Sequence, residues 1–332
     1  MTLLAAAEQA DTPVYGAPIW VWVTLVAVIL AMLLVDLLVF HKDAHSVTIR
    51  EAAISSAVWV TIGLSFGLVM WAWHGGDAAT QYYSGYLIEK SLSVDNIFVF
   101  ALLFGYFAVP TALQHRVLFW GVLGALVFRA LFIAAGAALL DRFSWTIFVF
   151  GAFLVYTGIK MARHGDTQVE PDHNPIVGLV RKAIPITSDY RDTHFFVREA
   201  GKRFGTPLLV VLVAIETTDI IFAVDSIPAI FAVTQDPFIV YTSNVFAILG
   251  LRSLYFLLAD AMGRFSYLKV GLAVVLVYVG VKMLISEWYH IPTGISLLVI
   301  AGVITTAVVF SLRASPAEVK AAEESEHEHF RT

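Results

Sequence analysis

Nine apolar runs, each close to 20 residues long, leave this chain few ways to fold. They cover roughly 19–40, 54–73, 86–107, 115–139, 143–161, 207–233, 239–259, 267–285 and 292–312. A helix needs about 20 mostly apolar residues to cross a bilayer. In lipid its backbone must also satisfy its own hydrogen bonds. The pattern therefore predicts an all-α polytopic membrane protein. Composition agrees, with 59% hydrophobic residues, 14% charged residues and a mean hydropathy of +0.79, where soluble domains are about 25% charged. The absence of cysteine excludes disulfides, thiol redox chemistry, thiolate metal ligands and iron–sulfur clusters. Any bound metal would use oxygen or imidazole ligands. The net charge of −5 gives no sign of a nucleic-acid partner; the lipid bilayer is the partner the runs demand. The first ten residues carry no Lys or Arg and the run from Ile19 is long, which argues against a cleaved signal peptide.

The connections between runs set an orientation. One alternating set holds sixteen of the 21 Lys and Arg residues, including Lys42, Arg116, the eight between 160 and 206, and Arg313, whereas the other set holds only Arg142. The positive-inside rule then predicts an outside N-terminus and a cytoplasmic C-terminus in a cell (inner) membrane. Trp20, Trp22, Trp71, Trp73, Trp145, Trp288 and Tyr289 fall near run ends, where interfacial aromatics belong. The tail from Pro316 is acidic and reads as disordered. Its His327, Glu328 and His329 read as a solvated stretch in preference to a metal site.

An internal repeat runs through the middle of the chain. SVDNIFVF (93–100) echoes TTDIIFAV (217–224), RALF (129–132) echoes RSLY (252–255), and YTGIKM (156–161) echoes YVGVKM (278–283), at offsets of 124, 123 and 122. Each unit contains three runs, so the second copy enters the membrane from the opposite side. Such inverted repeats recur in transporters, with the binding site near the midplane between them. The expected organisation is two transmembrane helices in 1–85, a first three-helix repeat in 86–161, a cytoplasmic loop in 162–206, a second repeat in 207–285, a last transmembrane helix in 286–313 and a tail in 314–332.

Charges inside lipid cost several kcal/mol, about 2.5 or more each, and so point to function. Asp36, Glu89, Lys90, Asp95, Arg129, Glu216, Asp219, Asp225 and Arg252 lie in or near the runs. Asp36, Glu89 and Lys282 stand near enough to an end to snorkel, and Lys90 reads as snorkelling or paired. Glu216 and Asp219 are three apart and can face one ion; Glu89, Ser93 and Asn96 share a face in the same way. Asp225 falls on the opposite side of a straight helix from Glu216, which suggests that Pro228 unwinds the turn holding Asp225 and Ser226. Oxygen ligands of this kind suit hard divalent cations. The candidate metal set is Glu89, Asp95, Asn96, Glu216, Asp219, Asp225 and Ser226. Arg129 and Arg252 read as fold-stabilising partners in the two repeats, and Asn96 and Asn244 also fit a role joining helices.

The segments EKSLSVDNIFVF and ETTDIIFAVDSIPAIFAVTQDPFIVYTSNVFAILGLRSLYF closely resemble the TerC family, which includes the Alx proteins. The likeness extends from about Leu33 to Ile285. The family takes its name from tellurite resistance, and the resemblance implies metal handling, specifically Mn²⁺ export. It also implies functional roles for Glu89, Asp95, Glu216, Asp219 and Asp225. The leading expectation is thus a transporter of a divalent metal ion, with Mn²⁺ as cargo, no resident cofactor and no enzymatic activity. Proton countertransport is compatible with clustered carboxylates. A membrane scaffold or assembly factor working through the 162–206 loop is the alternative. A membrane metallohydrolase fits less well, since the chain has no HExxH motif.

Overall fold

A computed structural model describes residues 17–35, 48–143, 145–163, 175–199, 201–258, 266–286, 288–289 and 291–313. The expectations for Asp36 and for the 314–332 tail fall outside these residues, and so does the side chain of Asp95. The described chain is mostly helical. In order it forms α1 (Ile19–Val35), α2 (Ile49–Tyr106), α3 (Thr111–Arg142), α4 (Thr146–Arg163), α5 (Pro175–Ala183), β1 (Phe196–Glu199), β2 (Lys202–Gly205), α6 (Pro207–Phe231), α7 (Pro237–Leu249), α8 (Leu251–Leu258), α9 (Ser266–Leu284) and α10 (Thr293–Arg313). Among the described residues, five helices are long and apolar enough to cross a membrane, six when the bent pair α7–α8 counts as one span.

The 58-residue α2 folds back on itself. Gly75 takes φ +85, a left-handed conformation that glycine adopts without a Cβ clash. Tyr82 Oη then donates to Gly63 O and Tyr83 Oη to Leu64 O, both at 2.8 Å. Those partners would be about 28 Å apart on a straight helix. The connection expected at 74–85 is therefore helical beyond this single reversal. One consequence corrects the sequence reading of Glu89. It lies about 20 Å along the second arm from Gly75, too far from an end to snorkel, and is 0% exposed.

A second departure concerns where the helices break. Pro228 sits inside α6, which remains helical through Asp225 and Ser226. Proline there removes only its own donor to the turn before it, and the helix closes past it, with Ala232 N donating to Pro228 O at 3.1 Å. The break falls one span later, at Gly250, where α7 and α8 meet at 40°. Lys90 Nζ donates to Ala247 O at 3.1 Å. It thereby satisfies one of the carbonyls that a helix C-terminus leaves open, and complements the negative end of the helix dipole. Lys90 is paired, then, and does not snorkel. Lys282, also expected to snorkel, is only 9% exposed.

Packing follows small residues. α4 lies against α9, α3 against α6, and both arms of α2 against α7 and α8. A Cβ on Gly280 would stand 2.7 Å from Gly151 O, and one on Gly158 would stand 2.9 Å from Ala273 O. Backbones approach this closely only where side chains are missing. Between α4 and α6, α5 and an antiparallel hairpin of β1 and β2 form a cap, with Phe196 opposite Gly205 and Glu199 opposite Lys202. Tyr190 Oη donates to Phe107 O at 2.8 Å, and Arg116 lies 5.7 Å from the centre of the Phe195 ring. These contacts tie the cap to the ends of α2 and α3.

Candidate cation site

Among the described residues, the largest fully buried side chain is a charged one, Arg129 on α3, with 0% exposure. It reaches across to both other helices that carry buried carboxylates. Its Nε and Nη2 donate to Asp219 Oδ2 and Oδ1 on α6, at 3.3 and 3.0 Å. Its Nη1 donates to Glu89 Oε1 on α2 and, at 3.0 Å, to Asn244 Oδ1 on α7. Asn244 Nδ2 in turn donates to Glu89 Oε2 at 3.1 Å. Glu89, Arg129 and Asn244 therefore close a ring, and Asp219 is held by the two-pronged face of the guanidinium. Buried charges persist only when paired and hydrogen-bonded. Breaking such a pair from one side costs about 3–5 kcal/mol, because the other charge is left uncompensated.

Beside this network lies a cavity of about 40 Å³, lined by Glu89, Asn96, Arg129, Asp225 and Ser226 with Leu92, Met161, Phe222 and Leu276. One water needs roughly 10–15 Å³ of such space, so the cavity has room for a few waters or a partly hydrated ion. Its polar lining is unfinished. Asn96 is 1% exposed, yet neither its Oδ1 nor its Nδ2 has a hydrogen-bond partner, and Ser226 Oγ also lacks one. Among the described residues Asp225 accepts one weak hydrogen bond, from Thr157 Oγ1 at 3.4 Å, and feels the positive charge of Lys160. Unsatisfied buried polar groups are rare in native structures. Here they converge on two carboxylates, an amide oxygen and a hydroxyl, the donors a hard divalent cation takes.

The sequence-derived candidates separate into three places. Glu89, Asn96, Asp225 and Ser226 meet at the cavity. Asp219 stands behind it, on Arg129. Glu216 points elsewhere: it is half-buried against Gly124 of α3, with Oε2 free of hydrogen bonds. The expected sharing of one ion by Glu216 and Asp219 is not what the side chains do. Both face α3, as the three-residue spacing requires, but the Arg129 fork claims Asp219 alone. Among the described residues, no three His, Asp or Glu side chains gather into a metal centre. Arg129 belongs to the site as well as to the fold, and Asn244 orients Glu89. The polar triplet Thr242, Ser243 and Asn244, unusual inside an apolar run, was the available sign of the latter.

Apolar helices closed around a buried ionic network define an integral, multi-pass membrane protein. More narrowly, the chain belongs to the TerC family of integral membrane proteins, whose family model matches residues 74–319. It is 51% identical over 300 residues to an uncharacterized membrane protein of Myxococcus xanthus, covering 90% of this chain and 94% of that one. It is 49% identical over 306 residues to the Alx protein of Salmonella typhi, described as a candidate membrane-bound redox modulator, covering 89% and 94%. A membrane protein of Rickettsia bellii is 40% identical over 278 residues, covering 84% and 92%. No solved structure matches the chain.

Proposed function

We propose that this protein is a carrier, not an enzyme, that exports a hard divalent cation, Mn²⁺ first, through the cavity shared by Glu89, Asn96, Asp225 and Ser226. The observation that carries the proposal is the buried, unpartnered Asn96 amide on the wall of a cavity that two carboxylates also line. Four protein oxygens and added water make up the six that Mn²⁺ prefers. Asp95 and Glu216 stay in the proposal as acidic groups along the route, and Asp219 as the partner that anchors Arg129. Protons returning through the same carboxylates would balance the exported charge.

The proposed frame has nine spans, counting the two arms of α2 separately and α7–α8 once. It contains two inverted three-helix repeats and places the N-terminus outside an inner membrane. Packing supports this. Gly158 and Gly280 are counterparts at the repeat offset of 122, as are Gly151 and Ala273. The Gly158–Ala273 and Gly280–Gly151 approaches therefore exchange with each other when the repeats are exchanged, which is the mark of a two-fold axis. The two helices run antiparallel through these contacts, so that axis lies across them, as an inverted repeat requires.

The redox role attached to the Alx relatives has no thiol to act through here, since the 332 residues include no cysteine. A scaffold role gains some support from the folded cap of α5 and the hairpin. The two readings part in one experiment: purified protein in vesicles containing a Mn²⁺-quenched dye, compared with Asp225→Asn, Asn96→Leu and an exchange of residues 196–205. The carrier reading expects Mn²⁺ movement by wild type to drop by about 10–100-fold in the two cavity variants and to survive the loop exchange. Wild-type rates in both cavity variants would remove the cavity from the path.

A further inference from the structure

We infer that Arg129 is a positioning residue for the transported ion, an internal cation that fixes Glu89 at the cavity wall and keeps the ion's affinity low. This rests on the transport reading above and extends it from the ligands to the group that governs them. Both oxygens of Glu89 are engaged, Oε1 by Arg129 and Oε2 by Asn244, so its carboxylate cannot swing away from the cavity it lines. Arg129 itself also lines that cavity. An arginine that only balanced charge for the fold would be walled off by its acceptors.

A guanidinium keeps its proton at any pH a cell reaches. An ion attracted by Glu89 and Asp225 is therefore always repelled by a neighbour of the same sign, in a setting where water screens little. Conduction and transport need binding that is favourable yet weak enough for release. Arg129 supplies the weakening without loosening the ligand. Lysine could not replace it, because a single ammonium cannot form the fork with Asp219 while also reaching Glu89.

The test compares wild type with Arg129→Gln/Asp219→Asn and with Arg129→Lys, each in vesicles, by the KM and turnover of Mn²⁺ transport. Mn²⁺-dependent thermal stabilisation of the purified proteins gives a second reading of affinity. The double variant removes one positive and one negative charge together, so the buried group keeps its net charge, the amides can still bond one another, and Asn244 still holds Glu89. Its KM should fall about tenfold or more, with turnover falling alongside, and half-maximal stabilisation should move to correspondingly lower Mn²⁺. Arg129→Lys keeps the repulsion and loses the fork, so its KM should rise. A double variant with KM unchanged or raised overturns the inference while leaving the carrier reading intact. Should the double variant fail to fold, a wild-type KM in Arg129→Lys overturns it equally. If wild type neither moves Mn²⁺ nor is stabilised by it, the carrier reading fails and the inference falls with it.

Discussion

Gly124 carries no side chain where the Glu216 carboxylate needs room, since a Cβ there would run into the carboxyl group. What it would meet is the far end of a flexible side chain. Gly124→Ala should therefore change stability by no more than about 1 kcal/mol and still push Glu216 off α3. If Glu216 acts along the route, Gly124→Ala should lower Mn²⁺ transport to the level of Glu216→Gln at equal protein amounts, and transport assays of both variants would check this. Wild-type transport in Gly124→Ala with loss in Glu216→Gln would show that the position against α3 is irrelevant. At this scale the sequence was most informative about which residues are unusual and least about what they touch. Buried acids in apolar runs were legible because the bilayer makes them costly. Helical spacing gives Asp219 and Glu216 a shared face but does not reveal the neighbour that face meets. That neighbour, Arg129, lies 90 residues away.

Apolar length fixes helix ends where it alone decides them: the run 207–233 becomes Pro207–Phe231, and 292–312 becomes Thr293–Arg313. Breaks were read poorly. Pro228 marks a weak point in α6 by sequence, but the loss of its one donor does not unwind the turn before it. Gly250, which carries the bend, shows no local signal stronger than other glycines. Its own Cβ would stand 2.8 Å from Trp59 Cβ, a close approach across the bundle that only the fold reveals. The β1–β2 hairpin escaped notice because four-residue strands in a charged loop give too short an alternation to detect. The element that most needs its glycines is the α4–α9 pair. Gly280→Ala and Gly158→Ala each drive a methyl group against backbone atoms that cannot move aside, as close as 2.7 and 2.9 Å. Overpacking of this kind costs about 1–3 kcal/mol, and reciprocal contacts should make the two costs similar. Gly178 of α5 has open space around it, so Gly178→Ala should be neutral or stabilising by up to about 1 kcal/mol. Thermal unfolding of the three purified variants tests the set. Equal stabilities for all three would mean that α4 and α9 are not in close contact.

For the molecule as a whole, the reversal at Gly75 and the cap at 175–206 must face opposite sides of the bilayer if the charge asymmetry sets topology. Sixteen Lys and Arg against one is a bias that insertion follows when connections are short. In the proposed frame the second arm of α2 carries the chain from the Gly75 turn back across the membrane to Tyr106, near the contact of Tyr190 with Phe107. Turn and cap are thus one crossing apart. The chain has no cysteine of its own, so single cysteines report position without background. Gly76→Cys is suited to the turn, being exposed, with open space within 4 Å of where its Cβ would stand. Lys202→Cys is suited to the hairpin, where Lys202 is exposed. In intact cells a membrane-impermeant maleimide should label the first and spare the second until the membrane is opened. The reverse pattern would invert the protein. The carboxylates of the cavity would then load from the other side, and export as proposed would become uptake.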